Sequence, residues 1–364
     1  METYARADVT FVDGEGSWLT AADGTRYLDF AAGIAVVALG HAHPAPLAAA
    51  QAQLERLWHV SNLYWTEPMV RLADLLSERF GGAQAFFCNS GAESIEAALK
   101  WARKVTGRPE FVALEGSFHG RTFGALSVTG QPSKRTAFEP LVPGAVFATP
   151  GTLADHVGPQ TAAIVLEPVQ GEGGVHPLSA EVLAEARALA DEHGALLILD
   201  EVQTGVGRSG EFFAWQRLGV KPHAVTLAKG LANGLPIGAL LVADDAPTGF
   251  EPGDHASTFG GNPVVCAAAC AVVDTIDDTL LAQVRSSSDF FRGALAQFGE
   301  VRGLGLLLAV ELDQPAGPVV EAALGHGLVI GSAGERTLRL TPPLTLSADE
   351  AALAIDKLTE VMCS

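Results

Sequence analysis

The chain has 364 residues, 48% of them hydrophobic, with 23 basic residues against 42 acidic ones and a net charge of −19. That length suffices for one large domain or two sharing an interface, and so negative a field disfavours nucleic acid and anionic membranes as partners. No basic segment followed by an apolar one opens the sequence, and no apolar run is long enough to cross a bilayer, so the cytoplasm is the expected location.

Residues 1–43 are rich in Gly and Asp and predict short strands and turns, as in GEGSWLTAADGTRYLDF from Gly14 to Phe30. HAHP, His41 to Pro44, offers two histidines but no matched third ligand, so a turn before a helix is expected there and no metal. Helical patterns follow at about 44–58 and 67–80. From 84 to 243, short apolar runs alternate with helical segments: Phe86–Phe87, Phe111–Leu114, Ala162–Leu166, Leu196–Leu199, Ala224–Leu227 and Ile237–Val242. This alternation predicts an α/β fold with a largely parallel sheet and crossover helices. An Ala-rich helix near 263–276 leads to a second, α+β pattern over 281–364, with strands near 304–311 and 337–341. Cys266 and Cys270 lie four apart in that helix and read as small core residues, since no ligand pair stands near them. The expected division is a large domain over 44–276 and a small one over 277–364, joined by the N-terminal segment 1–43.

Several motifs within this frame carry chemistry. In CNSGAESIEAALKWAR (Cys88 to Arg103), Ser90 and Glu93 make a capping box, and Glu96 stands four before Lys100. Gly91 and Ala92 lack bulk, so their N–H groups can face an anion at the positive end of the helix. A merely well-capped helix would look the same. EGSFHGRTFG places Phe118, His119 and Arg121 in a glycine-rich loop after a strand, where Phe118 can stack on a planar ring and Arg121 can bind a carboxylate. LEPVQGEGG puts Glu167 and Glu172 around another strand end, with Glu172 between glycines as a mobile gate would need. Asp200 ends the apolar run Leu196–Leu199, at the strand edge where open α/β sheets bind ligands. Lys229 follows the run Ala224–Ala228 twenty-nine positions later. Such a pair suits pyridoxal phosphate: the amine binds the aldehyde as a Schiff base, and the carboxylate keeps the pyridine nitrogen protonated. A structural ion pair would also account for it. GVGRSG (Gly205 to Gly210) matches a dinucleotide fingerprint, but no Asp or Glu occurs between Phe212 and Val242, so a flexible loop is expected instead. TLRLTPPL alternates like a strand and carries Arg339.

Taken together, GIAVVALGHAHP, FFCNSGAES, SFHGRTFG, LEPVQGEGG, LILDEVQTGVGRSG, LAKGLANGLPIGA, HASTFGGNP and LRLTPPL resemble the fold-type I, class III (subgroup II) pyridoxal-phosphate aminotransferases, in the family's order and over essentially the whole chain from Asp13. The similarity is greatest to the branch that uses acetylornithine. The resemblance implies a seven-stranded, mostly parallel sheet in the large domain and a smaller α+β domain. It also implies that Lys229 holds the cofactor and Asp200 pairs with its pyridinium, while Gln203 approaches the ring's 3-oxygen and Phe118 and Val202 sandwich the ring. Ser90, Gly91 and Ala92 would hold the phosphate, joined by Thr258 from the partner subunit of a homodimer. For substrate it implies Arg339 on the α-carboxylate of glutamate or 2-oxoglutarate, Arg121 on a second carboxylate, Ser257 nearby, and Glu172 pairing with Arg339 until the dicarboxylate arrives.

The implied reaction moves the terminal amino group of N-acetylornithine to 2-oxoglutarate, a step of arginine biosynthesis. Related ω-amines (succinylornithine, ornithine, 4-aminobutyrate) are the near alternatives. An aminomutase, or a binding protein without turnover, stands further off. Four positions depart from the family pattern: Val37, Ile95 and Gly331 stand where Asn is common, and His223 where Asp usually follows Pro. The N-terminus is also short. Val37 and Gly331 are expected near the substrate entrance.

Overall fold

The computed structural model describes residues 1–247 and 249–363; Ser364, the last residue of the expected small domain, lies outside the described residues. The alternating apolar runs assemble into a seven-stranded sheet in the order Ala83–Cys88, Gly238–Ala243, Ala224–Leu227, Leu196–Asp200, Thr161–Leu166, Glu110–Leu114, Ala145–Ala148. Gly238–Ala243 runs antiparallel to both its neighbours, and the other pairings are parallel. Thr161–Leu166, Leu196–Asp200 and Ala224–Leu227 are buried at every position, as strands covered by helices on both faces must be. The edge strand Ala145–Ala148 has no counterpart among the six runs read from sequence. Four residues between Pro143 and Pro150, half-buried at an edge, carry no periodic signal.

Two smaller sheets flank this one. Phe11–Glu15, Trp18–Ala21 and Arg26–Asp29 form an antiparallel meander, and its last strand pairs in parallel with Leu328–Val329, Leu28 opposite Leu328. The second sheet runs Glu300–Leu304, Leu307–Glu311, Thr337–Leu340, Gly331–Ser332. The single run expected near 304–311 is therefore a hairpin, turned at Gly305 with φ +59°. Its register sets Arg302, Ala309 and Arg339 in one row across three strands. Phe30 meets Phe291 edge to face at 5.6 Å, so the N-terminal segment shares the core of the C-terminal part.

Two local expectations change. The GVGRSG loop is buried from Gly205 to Gly210; Arg208 donates to the carbonyls of Leu306 at 3.1 Å and Pro342 at 2.5 Å, and its own carbonyl accepts from Leu306 N. The loop is the seam between large and small sheets and not a flexible segment. Glu96 and Lys100 do not pair either. Glu96 accepts from the N–H groups of Gly124 and Ala125, while Lys100 donates to Asp254 O, so each is drawn to a tertiary partner.

Candidate active site

At the C-terminal edge of the large sheet lies a cavity of about 430 Å³, the place where open α/β sheets take ligands. Ser90, Gly91, Ala92, Phe118, Arg121, Glu172, Asp200, Val202, Gln203 and Lys229 all line it. The sheet brings them together because consecutive parallel strands end side by side. Asp200 closes one strand and is paired with Thr226 on the next, three residues before Lys229. Lys229 itself takes φ +38°, a conformation rare for a residue with a side chain and concentrated where function demands it.

Burial pushes the Lys229 amine below its ordinary pKa, against the neighbouring charge of Glu172. Asp200 accepts from Val202 N at 3.1 Å and Thr226 Oγ1 at 3.2 Å through one oxygen, and its other oxygen meets His119 Nδ1 at 2.7 Å. Burial alone would strip the imidazole of its proton. The bond to Asp200 and its charge, with Glu167 beside them, outweigh that, and the pKa of His119 is raised. Glu167 accepts from Phe118 N at 2.9 Å, and burial pushes its carboxyl up to about 8 against the pull of His119. Two carboxyls thus sit beside one imidazole: Asp200 makes the short bond to it, and burial raises the pKa of Glu167.

Ser90 caps the helix Gly91–Thr106, its Oγ accepting from Glu93 N at 3.3 Å. The return half of the capping box falls one residue early, because Glu93 accepts from the backbone of Asn89, not Ser90. Ser90, Gly91 and Ala92, at the start of this helix, all line the cavity. A Cβ on Gly91 would lie 2.8 Å from Val202 Cγ1, so glycine there lets the helix end approach the Val202 side of the pocket. Two buried atoms in the site have no partner, Gln203 Oε1 and His119 Nε2, an arrangement that suits a ligand not present in the chain itself.

Arg339 lies behind the cavity wall. Its Nη1 bonds Glu172 Oε1 at 2.5 Å and Gly171 O at 3.0 Å, and Gln203 Nε2 reaches the same Glu172 oxygen at 3.3 Å. Burial opposes the Glu172 charge, but Arg339 and Lys229 hold its carboxyl below the ordinary range. Arg121 is exposed at the rim, 5.4 Å from the Phe118 ring centroid. Ser257 is one bond removed, accepting from Asn89 Nδ2 at 3.1 Å. Thr258 is exposed and does not reach the cavity of its own chain.

The departing residues fall in different places. Val36, not Val37, lines the cavity, delivered by a left-handed turn in which Ala32 to Ala35 all have positive φ. Gly331 pairs with Arg339 on the neighbouring strand, Ile95 is fully buried, and His223 accepts from Leu197 N at 2.8 Å on the sheet. The sequence gives no role to His119, Glu167, Asn89 or Val36; His119 beside Phe118 and Glu167 at a strand end carry some signal, but neither names a partner. His43 caps the helix Pro44–Leu54, as a turn before a helix should. Among the described residues no cluster of His, Cys, Asp or Glu could hold a metal, and no helix is long and apolar enough to cross a membrane.

The profile of the family Aminotransferase class-III matches residues 3–362. An acetylornithine aminotransferase of Corynebacterium efficiens is 48% identical over 380 residues, covering 100% of this chain and 94% of the relative. Among solved structures, the ornithine aminotransferase of Toxoplasma gondii ME49 superposes with a TM-score of 0.94 at 31% identity, covering 100% of this chain and 92% of that one. The N-acetylornithine aminotransferase of Stenotrophomonas maltophilia K279a gives 0.85 at 34% identity, covering 99% and 97%.

Proposed function

The chain belongs to the class-III aminotransferases, enzymes that use pyridoxal 5′-phosphate, and from that premise we propose that it moves the terminal amino group of N-acetylornithine to 2-oxoglutarate, giving N-acetylglutamate 5-semialdehyde and glutamate. The observation that carries the substrate reading is the Glu172–Arg339 pair beside Lys229. A cation covered by a movable carboxylate lets one pocket take an ω-amine and then a dicarboxylate. The full-length similarity to acetylornithine aminotransferases supports the same choice.

The residues present fit the cofactor. The open helix end at Ser90, Gly91 and Ala92 suits a phosphate, the two unpartnered polar atoms suit ring substituents, and Lys229 and Asp200 supply the amine and the anion. Bound there, pyridoxal phosphate supplies an aldehyde to carry the amino group and a ring that draws electrons from the reacting carbon. The chain does the rest. Phe118 and Val202 flank the ring space, and Gln203 serves the ring oxygen. His119 bonds one oxygen of Asp200 and so orients the carboxylate that would pair with the pyridine nitrogen. Lys229, its amine pKa lowered by burial, would take a proton from the substrate carbon that bears the amine and return it to the carbon on the far side of that nitrogen, the former aldehyde carbon. Arg121 holds the substrate's own carboxylate at the rim. Arg339 takes the α-carboxylate of glutamate or 2-oxoglutarate once Glu172 swings off.

We further propose a homodimer in the cytoplasm, with Thr258 completing the phosphate site of the other copy. Trp58, Leu63, Tyr64, Trp65 and Phe259 are between 61% and 84% exposed, more apolar surface in one region than a monomer ordinarily leaves bare.

The test is the first half-reaction without 2-oxoglutarate, read as the change in cofactor absorbance. N-acetylornithine and glutamate should react fast, and ornithine and 4-aminobutyrate slowly. Fast reaction with another ω-amine and not with N-acetylornithine would overturn the substrate.

A further inference from the structure

We propose that Arg302 is a positioning residue for Glu172: it clips the far end of the loop that carries Glu172 and so sets where that carboxylate rests. The inference builds on the reading of Arg339 as a substrate carboxylate site. Arg302 does not line the cavity. It lies two strands away from Arg339 on the same row of the small sheet, with the small residue Ala309 between them. From that row the two guanidiniums take hold of opposite ends of one short loop. Arg339 Nη1 donates to Gly171 O at 3.0 Å, and Arg302 Nε donates to Gly174 O at 2.7 Å. Glu172 is between them.

The Arg302 fork is itself fixed. Its Nη2 donates to Glu311 Oε2 at 2.7 Å and to Thr337 Oγ1 at 2.9 Å, and that hydroxyl donates to the same Glu311 oxygen at 2.6 Å. The loop's glycines serve close packing and not freedom of movement. A Cβ on Gly171 would fall 1.7 Å from Gln203 Oε1, one on Gly173 2.4 Å from Gly116 O, and one on Gly174 2.6 Å from His176 Nε2. Val175, a β-branched residue, is held at φ +56° just before the short strand His176–Pro177, which pairs back with Val169–Gln170; the Val175 N–H donates to Gln170 O. Enclosed by these contacts and clipped by Arg302, the backbone stays in place. Glu172 therefore leaves Arg339 by side-chain rotation about a fixed Cα, and Arg302 keeps that Cα where the rotation returns the carboxylate to Arg339.

The test uses glutarate, a dicarboxylate of the right length with nothing to react, titrated calorimetrically into the cofactor-loaded protein. Glu172 and glutarate compete for Arg339, so loosening Glu172 should tighten glutarate. Arg302→Gln is expected to raise glutarate affinity about fivefold, the lower end of coupling between sites. Glu172→Ala should raise it at least as much, and adding Arg302→Gln to Glu172→Ala should change nothing further. An unchanged or weaker affinity in Arg302→Gln, or an effect that persists without Glu172, overturns the proposal. If Arg302→Gln does not fold, Arg302→Lys keeps the charge beside Glu311, lacks the fork that also reaches Gly174 O, and carries the same expectations. Glutarate binding that survives Arg339→Ala would overturn the Arg339 reading itself, which separates the two failures.

Discussion

Replacing Glu167 by Gln tests whether burial holds a proton on that carboxyl at the centre of the site. The side chain is 6% exposed, accepts from Phe118 N, and has its carboxyl pushed up to about 8, from 4.5 for an ordinary glutamate. Glutamine keeps the shape and a carbonyl for Phe118 N. An acid whose folded pKa is raised favours the folded state most when protonated. The wild-type protein should therefore lose stability as pH climbs from 4.5 through 8, and the variant should lack that loss. The full shift corresponds to roughly 5 kcal/mol, of which about half accrues between pH 6 and pH 9. Urea unfolding of the cofactor-free proteins at those two pH values measures it directly. The stability of the variant relative to wild type should rise by about 2–3 kcal/mol from pH 6 to pH 9. A rise below about 1 kcal/mol would mean that Glu167 is already ionised at neutral pH and that burial does not hold a proton on it.

Gly91→Ala places a methyl group against Val202 Cγ1 and should weaken cofactor binding about tenfold, or ~1.4 kcal/mol, in a fluorescence titration; unchanged affinity would remove Val202 from the ring face. Arg339→Ala should raise the Michaelis constant for 2-oxoglutarate far more than that for N-acetylornithine, because Glu172 already covers Arg339 when the ω-amine is bound. Equal effects in steady-state assays would strip Arg339 of that role.

What could be read in the sequence is what short-range pattern encodes. Asp200 and Lys229 stand out because each follows an uninterrupted apolar run, and buried parallel strands are written that way. Ser90 and Glu93 announce a helix start for a similar reason. The partnerships across the fold are silent. His119 and Asp200 are eighty-one positions apart, and nothing around His119 distinguishes it from a solvated loop residue. Arg302 carries no signal of its own until strand register places it in a row with Arg339. Glycine misleads most: in GEGG and GVGRSG it suggests motion, yet both segments are enclosed, because the same missing Cβ that frees a chain also lets neighbours close on it.

The parallel pairing of Leu28 with Leu328 has a consequence for how the molecule is made. The meander at the start of the chain has no sheet to join until a strand three hundred positions later has been synthesised. At roughly 5–20 residues per second that is on the order of 15–60 s of waiting. During that interval Leu28 and Phe30, both fully buried in the finished fold, are bare, while the large sheet between them can already form. Chaperone capture of nascent chains should therefore concentrate on the first thirty residues and end once the C-terminal part has emerged.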